Sequence, residues 1–120
     1  MKTTLRLTQN GVWALHFWLK TRVLKTPGNY YQEMIIRVLA DLWKKKVHPK
    51  TAAMKPNEKI RLTEIETLAL AISFMYYDLL DAPTLLQSQL HYIRDQLPPL
   101  RWDEEDRWIP PQLEIEYTHE

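Results

Sequence analysis

Ser88, His91 and Asp95 follow one another at spacings of three and four residues. On a helix that spacing puts all three on one side. Serine, histidine and aspartate are also the set that nucleophilic catalysis uses. A working triad needs an imidazole oriented by one group, aimed at the nucleophile, and backed by an oxyanion hole. Side chains standing in a row on one helix do not converge in that way. The expected state of these three is a solvated helix face.

Two carboxylate pairs, Asp78 with Asp81 and Glu64 with Glu66, have the composition of an acid–base pair or a Mg²⁺ site. Each pair falls at an expected helix end. Glu64 and Glu66 suit the positive N-terminal end of a helix dipole, so capping is their expected role. The four histidines (His16, His48, His91 and His119) show no zinc-type spacing. His16 lies on an otherwise apolar face and reads as a hydrogen-bonded core residue.

Gly11 and Gly28 are the only glycines, which excludes phosphate-cradling loops. Cysteine is absent, so thiolate nucleophiles, thiolate metal sites and disulfides are excluded together. The sequence therefore points away from an enzyme. It offers no catalytic residue, no metal ligands and no cofactor.

The strongest chemical signal is charge. Residues 1–61 hold 13 Lys or Arg against 3 acids, and residues 62–120 hold 3 against 12, although the net charge is only +1. Such asymmetry between halves hints at a nucleic-acid partner or an interacting acidic tail. The basic set is Lys20, Arg22, Lys25, Lys44, Lys45, Lys46, Lys50, Lys55, Lys59 and Arg61. Lys44, Lys45 and Lys46 would sit in the last turn of a helix, where cations complement the dipole. The other seven need another reason, and a patch that tracks a nucleic-acid backbone supplies one. Trp13, Phe17, Trp18, Tyr30, Tyr31 and Trp43 are interleaved with these cations. Most should be core; one or two at the surface could stack on unpaired bases.

The elements that must position these residues are mostly helices. Val12, Leu15, Leu19 and Val23 recur at helical spacing and predict a helix from about Gly11 to Leu24. Asn29 with Gln32 caps a second helix, buried along Ile35, Val38, Leu39 and Leu42, supported by Glu33–Arg37 and Asp41–Lys45 pairs, and fading near Lys46. Pro49 and Pro56 mark a loop. Thr63 with Glu66 is a capping box ahead of an apolar run, expected to be the central, most buried helix. Thr84 with Gln87 opens a fourth helix, lined by Leu86, Leu90, Ile93 and Leu97 and stopped by Pro98-Pro99.

Alternation marks two short strand candidates, Leu5–Leu7 and Leu113–Tyr117, which could pair and bring Arg6 beside the glutamates. The fold expected is mainly α: a small bundle of about four helices over residues 1–100, with a short two-stranded pairing of the termini as an option. Residues 101–120 form an acidic tail holding Trp102 and Trp108, either docked on the bundle or presented to a protein partner. The start, MKTTLRLTQN, has no apolar signal core, and no apolar run is long enough to cross a bilayer.

The functional expectation is a cytoplasmic, non-enzymatic accessory subunit. Its basic half would contact nucleic-acid backbone, without sequence specificity, inside a larger complex. The alternative is a protein-only helical adaptor or a self-associating module.

Overall fold

The computed structural model describes residues 3–53, 55–76, 79, 82–98, 101–102 and 108–109. The chain runs β1 (Thr3–Thr8), α1 (Gln9–Val23), α2 (Tyr30–Leu42), a π-helical turn (Trp43–Val47), α3 (His48–Thr51), β2 (Asn57–Leu62), α4 (Glu64–Tyr76), α5 (Thr84–Asp95), β3 (Arg101–Trp102) and β4 (Trp108–Ile109). It is a small, mainly α bundle of four principal helices with a short antiparallel strand pair.

The strand pair differs from the expected one. β1 pairs with β2, Thr3 opposite Leu62 through Thr8 opposite Asn57. Glu58, Ile60 and Leu62 point inward and alternate with Asn57, Lys59 and Arg61. The sequence assigns no element to this stretch, because its charges outnumber its apolar residues and one inward position holds a carboxylate. The other edge of β1 is occupied at Arg6, whose N–H and C=O both bond the Gln96 carboxamide. The proposed partner strand Leu113–Tyr117 lies outside the described residues. In the tail, Arg101–Trp102 and Trp108–Ile109 pair as an antiparallel ladder.

Helix ends follow their side chains. Thr8 caps α1 by accepting from the Gly11 N–H, so the helix starts two residues before the expected point. Asn29 caps α2 by accepting from Gln32 N–H, while Gln32 reaches back to the Gly28 N–H. The Thr63–Glu66 box closes in both directions at 3.2 and 2.9 Å. At α5 the expectation was wrong in detail. Pro83 is the cap residue, Thr84 is already helical, and Gln87 donates to Ala82 O.

The second helix does not fade at Lys46. It widens to π geometry over Trp43–Val47 and resumes as α3, with Pro49 in the first turn. Proline lacks an N–H and its ring clashes with the carbonyl one α-turn earlier, and a wider turn relieves both. The widening also breaks the expected i,i+4 register. Glu33 pairs with Arg37 at 2.9 Å, whereas Asp41 and Lys45 straddle the change and form no ion pair.

α1 packs against α2, α5, α3, the π turn and both long strands. It shares the central position expected of α4. In α4, burial is nearly continuous from Thr67 to Phe74, while Ile65 and Met75 are exposed. Trp18 joins the two helices. Its ring stacks on Phe74 at 4.7 Å, and its indole N–H donates to Ser73 Oγ at 3.0 Å.

Candidate nucleic-acid interface

The ten basic residues divide by what they touch. Arg22 is buried at 5% exposure, with its guanidinium 4.4 Å over the Trp18 ring. It lines a cavity of about 20 Å³ with Ile35, Leu39 and Ile72, too small for an organic ligand. Lys46 is bound to Glu66 at 2.6 Å and to Arg61 O at 2.8 Å. Lys50 is bound to the buried Glu58 at 3.1 Å. These three cations serve the fold, and periodicity alone could not have told them from the rest.

The other seven (Lys20, Lys25, Lys44, Lys45, Lys55, Lys59 and Arg61) are exposed and form no ion pair among the described residues. Five of them fall into two groups. Lys59 and Arg61 point outward from β2, on the same side as Arg6 of β1. The reading by sequence omitted Arg6 because β2 was not recognised.

The second gathering surrounds an aromatic cluster. Trp13, His16 and Lys20 lie at three- and four-residue spacing along one strip of α1. That strip meets the π turn and α3. His16 contacts Trp13 edge-on at 5.5 Å, stacks on His48 at 5.6 Å and lies 5.8 Å from Trp43. Trp43 donates its indole N–H to His16 Nδ1 at 2.9 Å. Burial, then the neighbouring His48, then Lys20 hold the His16 pKa below its ordinary value. His16 is therefore hydrogen-bonded as expected, but half-buried at the edge of the core.

Lys44, exposed, directly follows Trp43 of this cluster in the chain. Gln9, with its amide turned to satisfy both neighbours, donates to Lys55 O at 2.8 Å and accepts from Trp13 Nε1 at 3.1 Å. Lys55 thus borders the exposed Trp13. Of the interleaved aromatics, Trp18 is buried, Phe17 and Trp43 are half-buried, and Trp13, Tyr30 and Tyr31 are exposed, more than the one or two expected.

Ser88, His91 and Asp95 do not converge. All three are exposed, and Arg94 stands between the last two, donating to His91 Nδ1 at 2.8 Å and lying 3.9 Å from Asp95. Glu66 caps α4, as expected of it. Asp78, Asp81 and His119 lie outside the described residues, as do the acids of the tail. Only the backbones of Trp102 and Trp108 are described, paired with each other across the short ladder. Among the described residues, no group of three or more His, Asp or Glu could hold a metal ion. No helix there is long and apolar enough to cross a membrane.

No protein-family model, curated protein or solved structure matches this chain.

Proposed function

We propose that the chain is a non-enzymatic binding subunit that holds single-stranded nucleic acid by its backbone, without reading sequence, inside a larger assembly. One observation carries this reading. Trp13, 47% exposed, stands at the rim of an aromatic cluster whose borders carry the exposed cations Lys20, Lys44 and Lys55. Aromatic faces accept any base, and surrounding cations accept phosphates, so the combination favours strand binding without sequence preference. The charge balance supports it. Residues 1–61 hold 13 Lys or Arg against 3 Asp or Glu, of which Glu33 and Glu58 are held in ion pairs.

The test is fluorescence anisotropy with labelled single-stranded RNA and DNA of several sequences, beside a duplex. The reading expects binding that ignores base order and prefers single strands. Trp13→Ala should weaken it by about 1–3 kcal/mol, the worth of one stacked base. Equal affinity for wild type and Trp13→Ala would remove the stacking role.

A protein-only adaptor or self-associating module is the second reading. It is favoured by the exposed apolar side chains Leu24, Tyr30, Tyr31 and Met34 where α1 passes to α2. Trp102 and Trp108 are the proposed partner-binding residues in either case. The lack of cysteine fits work in a reducing compartment such as the cytoplasm.

A further inference from the structure

The outer face of the β1–β2 pair carries an arrangement that costs stability and has no role in the core. Arg6 stands directly opposite Lys59, and Thr4 directly opposite Arg61. Both Arg6 carbonyl and amide turn away from β2 to Gln96, which makes Arg6–Lys59 a pair of the kind not bonded through the ladder. In such pairs the side chains stand closest, and like charges directly opposite destabilise a sheet. Arg61 follows Lys59 on the same face, about 7 Å along the strand. Three cations therefore share one small surface.

Beside them is a groove of about 310 Å³, bordered by Arg6, Thr8, Asn57, Glu58, Lys59 and Tyr92. Glu58 is the one acid on that border among the described residues. Its carboxylate turns inward to Lys50, and its side chain is 6% exposed. Asp95, one turn beyond Tyr92, lies beside Arg94. Thr8, at the end of the groove, caps α1, which has no acid in its first turn. The positive end of its dipole adds to the field of the cations. Tyr92, half-exposed on α5, gives the groove an aromatic wall.

We propose that this groove is a binding site for a phosphate group. Arg6 and Lys59 contact the phosphate, Arg61 adds charge at the rim, and the organic part attached to the phosphate lies against Tyr92. An anion between Arg6 and Lys59 turns a repulsive pair into two charge-assisted hydrogen bonds. The volume is at the small end for ligand pockets and suits a single nucleotide unit. Trp13, His16, Trp43 and His48 do not line this groove, so its binding can be tested separately from theirs.

The test follows backbone amide chemical shifts while inorganic pyrophosphate, uridine 5′-monophosphate or a short oligouridylate is added to the full chain. Each should shift the amides of Arg6, Thr8, Asn57 and Lys59. With pyrophosphate active, a mononucleotide that acts while the oligomer does not assigns a small-molecule source, and an oligomer that acts as well assigns the strand; both support the site. Lys59→Gln should weaken pyrophosphate by about tenfold or more, the value of a hydrogen bond to a charged group. The same change should raise the melting temperature of the unliganded protein, because the repulsion is gone. Tyr92→Ala should weaken the mononucleotide and leave pyrophosphate unchanged. The proposal is overturned if pyrophosphate shifts none of the four amides, or binds Lys59→Gln as tightly as wild type. Loss of oligonucleotide binding through Trp13→Ala leaves the pyrophosphate result standing, so the two readings fail separately.

Discussion

Trp43 gives its indole proton to His16 Nδ1 across 2.9 Å. An accepting nitrogen carries no hydrogen, so His16 is held neutral with its proton on Nε2. Burial, His48 and Lys20 act in the same direction and keep its pKa below the ordinary 6.5. In the unfolded chain the imidazole takes its proton near the ordinary value. Between the two values the unfolded state binds more protons, so stability is complete above 6.5 and falls as pH drops through that window. Urea unfolding on either side of that pH should show the loss. His16→Asn, whose amide oxygen can accept the same proton but cannot titrate, should flatten the profile.

Gln96 protects the free edge of β1, accepting from Arg6 N–H at 2.8 Å and donating to Arg6 C=O at 3.0 Å. Gln96→Ala should cost about 1–2 kcal/mol, two ordinary hydrogen bonds, read as a lower urea midpoint at constant slope. An uncovered edge also invites pairing between chains, so the variant should show more association by light scattering.

Ser73 is the only described acceptor for the buried Trp18 indole, and its own hydroxyl donates to Leu70 O at 2.6 Å. Ser73→Ala leaves that N–H without a partner in the core. The expected cost is about 1–3 kcal/mol, the penalty of a buried unsatisfied donor. Chemical denaturation followed by tryptophan fluorescence measures it. A change within a few tenths of a kcal/mol would mean that Trp18 finds another partner.

Lys44 and Lys46 are near neighbours in sequence with different duties. Lys46 ties the π turn to Glu66 of the α4 cap box, whereas Lys44 is exposed. Lys46→Glu should lower stability and change binding only as far as the fold loosens. Lys44→Glu should leave the melting temperature nearly unchanged and weaken oligonucleotide binding. Thermal melts and anisotropy on the same two variants separate these outcomes.

Most of the bundle was legible because its signals are local. The Asn29 and Thr63 caps and the Val12–Leu19 and Leu90–Leu97 stripes lie within a few residues of their partners. What escaped was set by distant partners or by a change of period. β2 hid because Glu58 holds an inward place that alternation reserves for apolar residues; Lys50, eight residues earlier, compensates it. The π turn hid because Pro49 was read as a stop rather than as the cause of a wider turn. The basic set was counted correctly but not sorted. Arg22, Lys46 and Lys50 have internal roles that only the fold defines, and Arg6 joins Lys59 only once β1 and β2 are paired.

The salt dependence of strand binding tests the central claim most directly. Anisotropy with single-stranded oligouridylate, from low to moderate salt, should give a log affinity that falls linearly with log salt concentration. Replacing Lys20, Lys44 or Lys55 by Gln should lower the slope by about 0.7 for each phosphate contact removed. No binding at low salt, or a slope that these three substitutions leave unchanged, would contradict a backbone-holding role for the basic aromatic face.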